Sequence, residues 1–514
     1  MALPIWTDQQ VLNQLNSGLT WKQAVITYRF AQDGSELNFQ EGEAAGFTSF
    51  TAVQQQFAHI AMALWDELIP QTLQFTNGPK ADIDFSNTTT AIGYAHAYYP
   101  PQGSAYFNTN SDTWTPYIGG NGFMTFVHEM GHLLGLDHMG DYNGADNKGA
   151  SSWQDSTVWS VMSYYGPSER TGHGDVAWAD WMGMDGVLHR PQTPMINDIM
   201  AIQHMYGAAE ARGGNTIYGF GSTVTGLTAD VYDFSVNLNP ILTIYDSGGV
   251  DTLNLSGWGT DSHVDLRPGN FSSANGMTNN IGIARGVLIE NVITGAGNDS
   301  ITVNAANNVI DGGAGIDRVF FSGDFFNYKI SYDLGSRQYT VADNTGAEGA
   351  NVLVNIELAG FKNYNANVND ITPGVHRFFN AQSGAHLFTS NNDEASAVLD
   401  MGGFQYEGLA FERLLNMTDS IAVHRFFNSA NGDHFLTADA NEVAHLRALD
   451  GGYQYEGVAF QAYGSQVDDA LTALHRFSNN ETGVHFYTAD AAEAEAVKLS
   501  GYWQDEGIAF YVVG

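Results

Sequence analysis

Apolar positions in the N-terminal two hundred residues switch between two periods. Val53, Phe57, Ile60, Ala61, Leu64 and Trp65 recur at three- and four-residue steps between Phe50 and Ile69, the spacing that turns one face of a helix toward a core. Pro70 stops that helix. Apolar runs at Ala81–Phe85 and Ala91–Tyr99 predict strands, the second closed by Pro100 and Pro101. A helix through His128, a glycine- and aspartate-rich loop over Gly140–Gly149 and an apolar helix over Ile196–Tyr206 complete one mixed α/β unit, residues 1–210.

From residue 211 the chain turns to glycine, asparagine and β-forming residues. Thr294 opens a run that divides into three nine-residue units, each apolar at its eighth position (Ile301, Ile310, Val319). Asp299 and Asp317 stand 18 residues apart. In a parallel β-roll one coil takes two such units, so these aspartates stack in neighbouring turns and can clasp calcium. Gly295, Gly297, Gly312, Gly313 and Gly315, with Ala314, suit turns that expose main-chain carbonyls as hard oxygen ligands. The middle unit lacks glycine and has Asn308 where aspartate is expected, and the pattern breaks after Phe320, so the array is short. Residues 211–370 are expected to form this all-β roll or sandwich domain.

The remaining residues, 371–514, repeat themselves. Val375-His-Arg-Phe-Phe-Asn380 returns as Val423-His-Arg-Phe-Phe-Asn428 and as Leu474-His-Arg-Phe-Ser-Asn479. A second histidine follows each (His386, His434, His485), and each copy closes on Glu-Gly-x-Ala-Phe at Glu407, Glu456 and Glu506. A period near 50 implies one supersecondary unit stacked with pseudo-threefold symmetry. Each copy reads as two short strands, a helix and a closing strand, a β-rich α+β module.

Composition narrows the partners. A formal charge of −37 over 514 residues argues against nucleic acid and anionic membrane. The 43% hydrophobic content is that of a folded chain. There is no cysteine to cross-link it. No run of 18 apolar residues occurs, and Met1–Gly18 lacks the basic start and apolar core of a signal peptide.

The chemistry concentrates between His128 and His138. On a helix, His128 and His132 leave the same face one turn apart, as two nitrogen ligands of one zinc require. Glu129 projects beside the ion, where its carboxylate can take a proton from a water on the metal. Gly135 can turn the chain back and deliver His138 as third ligand. Three protein ligands leave a vertex for water, the mark of a catalytic site.

Followed by Ser-Val-Met162-Ser-Tyr164, this motif resembles the metzincin metalloproteases, in which a methionine turn lies beneath the metal. More narrowly the chain resembles the serralysins, secreted bacterial proteases. Gly140-Asp141-Tyr142-Asn143 and Asp198-Ile-Met-Ala-Ile-Gln-His-Met-Tyr-Gly207 carry that likeness, while Met139 stands where the family usually has proline. The resemblance implies a metzincin catalytic domain with one zinc, Tyr164 as a reversible ligand that swings to the oxyanion, and an RTX nonapeptide array holding several calcium ions. Arg212, Gly214 and Thr216 with Asp246, Gly248, Gly249, Asp251 and Glu290 resemble further calcium sites of the family.

The expected function is a secreted, extracellular, monomeric zinc endopeptidase acting on protein or peptide substrates. Ala95-His96-Ala97-Tyr98 is the candidate edge strand for the substrate backbone. For the repeats, the histidines and glutamate are expected to bond at repeat junctions, with Tyr406, Tyr455 and Trp503 facing a cell-wall, polysaccharide or peptide ligand. The competing reading is a calcium-dependent adhesin whose protease unit is vestigial.

Overall fold

The computed structural model describes residues 3–143, 149–167, 176–413, 415, 420–449, 451–467 and 469–513. Residues 144–148 of the Gly140–Gly149 loop lie outside them. The chain forms two compact units, one from its start to Phe321 together with Ala347–Gly349, the other from Ser322–Gly346 and Ala350 onward.

The first unit opens with α1 (Asp8–Leu15), capped reciprocally by Thr7 and Gln10. β1 (Val25–Phe30), α2 (Ala52–Asp66), β2 (Thr72–Phe75), β3 (Ile83–Thr88), β4 (Ala95–Ala97) and β5 (Ser104–Asn108) follow. They build a five-stranded sheet in the order β2-β1-β3-β5-β4. All neighbours are parallel except β4, which runs antiparallel to β5 along the edge. The helix α2 starts at Ala52 because Thr51 and Gln54 form its capping box. It ends before Pro70.

Two strand expectations need correction. The strand expected to end at Phe85 runs to Thr88, and every residue of β3 is buried. Its polar end is satisfied inside: Asn87 donates to Gln54 Oε1 at 2.9 Å, and Gln54 donates to Thr113 O at 3.1 Å. The strand expected over Ala91–Tyr99 shrinks to Ala95–Ala97, since Ala91 adopts φ +68° and turns the chain before pairing begins. Helix α3 (Asn121–Leu133) lies against α2, where Trp65 Nε1 donates to Val127 O at 3.1 Å. Helix α4 (Ile196–Tyr206) completes this part.

The same unit continues as β6 (Ile217–Gly219), β7 (Leu242–Ile244), β8 (Thr252–Asn254), β9 (His263–Asp265), β10 (Phe271–Ser272), β11 (Ile281–Ile283), β12 (Asn291–Ile293), β13 (Ser300–Thr302), β14 (Val309–Asp311) and β15 (Arg318–Phe320). Two parallel ladders run through it: β6-β8-β12-β14 and β9-β13-β15. Asn291 pairs with Val309 and Ser300 with Arg318, an 18-residue advance per coil. The middle residues of the rungs, among them Leu253, Val292, Ile310, Val264, Ile301 and Val319, are buried. The coil therefore starts upstream of the nonapeptide run. Its early rungs are masked in the sequence by long excursions between them.

In the second unit, strands Tyr328–Asp333 and Gln338–Asp343 form an antiparallel hairpin, extended by Ala350–Val354. Three copies of strand, strand, helix, strand follow, with helices at Asn392–Met401, Ala440–Ala448 and Ala491–Ser500. Each copy sends equivalent residues to one shared core: Val375, Val423 and Leu474, then Phe388, Leu436 and Tyr487, then Phe411, Phe460 and Phe510. The junctions are closed by arginine. Arg377 bridges Glu407 and Glu493 at 2.9 Å each, Arg425 bridges Glu456 (2.7 Å) and Glu394, and Arg476 bridges Glu506 (2.8 Å) and Glu442 (2.9 Å). Each arginine thus joins its own closing strand to the helix of another copy, and the ring closes from the third copy onto the first.

Candidate metal centre and active site

Three residues of α3 and one beyond it make the centre. Gly131 lets the helix approach the turn beneath it, since a Cβ there would lie 2.5 Å from Met162 Sδ. Met162 is fully buried, and its carbonyl accepts from Met139 N at 3.1 Å. Gly135 then breaks the helix at φ +99°, where a Cβ would lie 2.0 Å from Leu19 O. Only glycine fits this reversal.

The reversal brings His138 back to His128 and His132. Donor atoms of the three lie within 4.8 Å of one another, the one such histidine or carboxylate cluster of three among the described residues. Each ring is oriented from behind. His128 Nδ1 lies 2.7 Å from Val161 O, His132 Nδ1 2.7 Å from Leu136 O, and His138 Nδ1 3.0 Å from Tyr142 O. A carbonyl can only accept, so each Nδ1 carries the proton and each Nε2 presents its lone pair. His132 Nε2 and His138 Nε2 face each other at 3.1 Å. Two lone pairs at that distance repel unless a cation sits beside them. Burial keeps the rings neutral: with His138 nearby, His128 is pushed down to about 3, and His138 itself to about 4. The donor set therefore fits a divalent metal of zinc's type.

Glu129 is buried, its Oε2 has no hydrogen-bond partner, and burial pushes its carboxyl up to about 8. Tyr164 is 45% exposed, with its ring centroid 4.5 Å from that of His138 and 6.0 Å from that of His128. Asp198 ties the methionine turn to α4, accepting from Ser160 Oγ (2.5 Å), Val161 N (2.8 Å) and Met195 N (2.8 Å). Burial raises it to about 7. Its role in the turn was not read from the sequence, because the partners lie 37 or 38 residues away.

Beside the centre, β4 leaves one edge open. Tyr98 N donates to Ser104 O and Asn108 N to Tyr94 O, so the bonded pairs of this register include His96 with Tyr106. The N–H and C=O groups of Ala95 and Ala97 therefore point away from β5. Glu43 holds the other two residues of the stretch: its Oε1 lies 3.0 Å from His96 Nε2 and accepts from Tyr98 OH at 2.8 Å. No signal in the sequence marks Glu43, a buried acid in a short loop helix.

The stretches with calcium-type residues meet in the coil. Thr216, Asp251, Glu290 and Asn308 precede β6, β8, β12 and β14 and stack as one column. Thr216 N donates to Asp251 Oδ1 (2.7 Å), Asp251 N to Glu290 Oε2 (2.8 Å), and Asn308 Nδ2 to Glu290 O (2.9 Å). Asp251 Oδ2 is buried without a partner, and burial beside Asp246 and Glu290 raises this carboxyl to about 6. Asp246 accepts from Tyr218 OH (2.7 Å) and Gly248 N (2.9 Å). Gly249 abuts the Gly214 carbonyl, 2.6 Å from a Cβ position. The Arg212 side chain turns instead to Glu67 at 2.7 Å.

Across the coil, Ser262, Asp299 and Asp317 form the second column. Ser262 N donates to Asp299 Oδ1 (2.5 Å) and Asp299 N to Asp317 Oδ1 (2.7 Å). Gly295 and Gly297 fit under Trp258 O and Thr260 O, while Gly313 and Gly315 fit under the carbonyls of Gly295 and Gly297. The Gly295 carbonyl accepts from Ala314 N (2.9 Å), and that of Gly312 from Thr294 Oγ1 (2.7 Å). Asp299 Oδ2 and Thr260 Oγ1 are buried without partners. The turn Trp258–Ser262 was missed in the sequence because its spacing from the next turn is not a multiple of nine.

The sequence is similar to those of known proteins. Residues 20–145 match the family model described as Matrixin, residues 207–403 the one for the peptidase M10 serralysin C terminal, and residues 374–513 a domain of unknown function (DUF5648). The first unit is thus of the metzincin class of metallopeptidases. The chain is 33% identical to Serralysin G of Dickeya chrysanthemi over 60% of its own length and 67% of that protein's. It is 35% identical to metallopeptidase AprA of Pseudomonas marginalis (59% and 66%) and 37% to Serralysin C of Dickeya chrysanthemi (57% and 63%). The chain belongs to the serralysin family. It spans about two thirds of the length of these relatives.

Proposed function

We propose that the protein is a zinc endopeptidase that cleaves extended polypeptides, working outside the cell and stabilised by calcium. The observation that carries the reading is the trio of neutral imidazoles converging beside a buried, unpartnered carboxylate. A zinc ion would be held here by His128, His132 and His138, and it would supply Lewis acidity, lowering the pKa of a water at the site to about 7. The substrate backbone pairs with the open N–H and C=O groups of Ala95 and Ala97, while Glu43 fixes His96 and Tyr98 so that the edge stays straight. Glu129 Oε2 takes the proton of the attacking water and passes it to the leaving amine nitrogen. The Tyr164 hydroxyl, exposed and within a swing of His138, donates to the oxyanion.

In the coil, Asp251 and Asp299 each offer a buried carboxylate oxygen beside main-chain carbonyls, the donor set of a calcium site. Asp246, Glu290, Asp317 and the carbonyls of Arg212, Gly214, Thr216, Gly248, Gly249, Gly297 and Ala314 complete the candidates. Bound calcium offsets carboxylates that otherwise repel in a chain of this charge. The test is casein hydrolysis by the full chain with metal analysis. The reading requires activity that is lost on chelation, restored by zinc, and absent from Glu129→Ala that still holds one zinc. A zinc-loaded chain that cleaves no protein substrate would leave the adhesin reading in its place.

A further inference from the structure

The three repeats share a core and a junction, yet their outer faces differ. On the first repeat the face is covered by the hairpin Tyr328–Asp333/Gln338–Asp343 of the same unit. Leu334 at the hairpin turn inserts among Phe378, Leu387, Ala395 and Val398, and Tyr332 packs on the same cluster. Tyr332 OH lies 2.8 Å from Ser396 Oγ, and Asn392 donates to Tyr339 OH at 3.2 Å. The helix Asn392–Met401 consequently buries Asn392, Ala395, Ser396 and Val398, and His376 beneath it is 1% exposed.

The corresponding helix of the second repeat buries no residue, and that of the third buries only Ala494. Sequence correspondence places Val443 and Leu446, then Ala494 and Val497, where Ala395 and Val398 stand. Phe477, Phe486 and Trp503 pack with Ala494 and Val497, and Phe426 and Phe435 are the corresponding buried residues of the second repeat. These faces have the same strand-and-helix frame without the hairpin: Phe426 and Phe477 stay buried beneath, Val443, Leu446 and Val497 are left half-buried, and on the second face Arg447 stacks over Tyr455 at 3.7 Å.

We propose that the outer faces of the second and third repeats are docking sites for polypeptide, each accepting an aliphatic and tyrosine pair as the first repeat accepts Leu334 and Tyr332. The first repeat supplies the template: a polypeptide turn, not a sugar, is what this frame is seen to hold. A branched aliphatic side chain inserted among four apolar ones has no counterpart on a glycan. The third face is the better of the two. Glu495 replaces Ser396 there, a stronger acceptor for a tyrosine hydroxyl. His475 Nδ1 is buried with no partner, because Asp505 replaces the Tyr406 that meets Nδ1 of His376. The second face has Ala444 at that position, and its Tyr455 is bonded to His424 at 2.8 Å.

The probe is a cyclised peptide of residues 326–345, titrated by calorimetry into the full chain carrying Glu129→Ala so that it is not cut. Saturable binding is expected, weakened at least about tenfold by Val497→Glu and less by Leu446→Glu. Peptides with Tyr332→Ala and Leu334→Ala should lose binding by the same order, which keeps the test open should a protein variant misfold. Absence of saturable binding overturns the proposal, as does binding indifferent to both Val497→Glu and the peptide changes. Chito-oligosaccharides bound in a Val497-dependent way, with the peptide unbound, overturn it in favour of a glycan site.

Discussion

Two sets of histidines occupy this chain, and their different fates show what makes a metal centre. His128, His132 and His138 are clamped from behind by carbonyls, so that three lone pairs converge. His386, His434 and His485 recur with equal regularity, yet the glutamate each was expected to bond lies 3.5 to 4.0 Å away. That glutamate is taken by an arginine of the same copy. The repeat motif's Arg was the residue overlooked: a fixed cation with several donors outcompetes an imidazole for a carboxylate. Repetition in sequence reports a shared fold. Convergence in space reports chemistry.

The sharpest way to break the comparison is substitution at both sets. Glu129→Ala should lower kcat on casein by about 10²- to 10⁴-fold with zinc content unchanged, and His132→Ala should lose the ion. His386→Ala should leave both zinc content and kcat alone. Next in size is the turn that completes the first set. Gly135→Ala places a Cβ against Leu19 O in a left-handed conformation, and should cost about 2–4 kcal/mol in urea denaturation while releasing zinc. Calcium comes third. Withdrawing it from about 100 times its Kd should cost about 2.7 kcal/mol per site, read as a fall in melting temperature that Asp299→Ala reproduces in part, leaving a smaller further fall on chelation.

The most gradual effect separates the sets by pH. Burial, with Arg377 beside it, pushes His386 down to about 4. The folded chain therefore takes up this proton less readily than the unfolded chain between pH 6.5 and 4. Stability falls as pH drops through that window, by at most about 1.4 kcal/mol per unit for this group, and levels off below it. His386→Gln should flatten that slope in urea midpoints measured from pH 7 to 4.

Much of the protease part was legible because its signals are local. A helical pair four residues apart, a glycine and a third histidine need only eleven residues to state themselves, and the apolar spacing from Val53 to Trp65 marks α2. Legibility failed wherever partners are distant. Ser86, Asn87 and Thr88 look like a loop until Gln54 satisfies Asn87 inside. Ala91–Tyr94 looks like a strand until the backbone reverses at Ala91.

The sequence by itself determined which atoms are on offer: imidazoles at helical spacing, carboxylates at coil spacing, and one supersecondary unit written three times. These follow from periods along the chain, and periods are visible without neighbours. Only the tertiary structure decided which of those atoms meet. It put Glu43 under the edge strand, Asp198 under the methionine turn, the Trp258–Ser262 turn against the glycines of the nonapeptides, and a hairpin over one repeat of three. Each of these joins residues brought together by burial across long stretches of chain, where free energy depends on what fills the space and no local period records it.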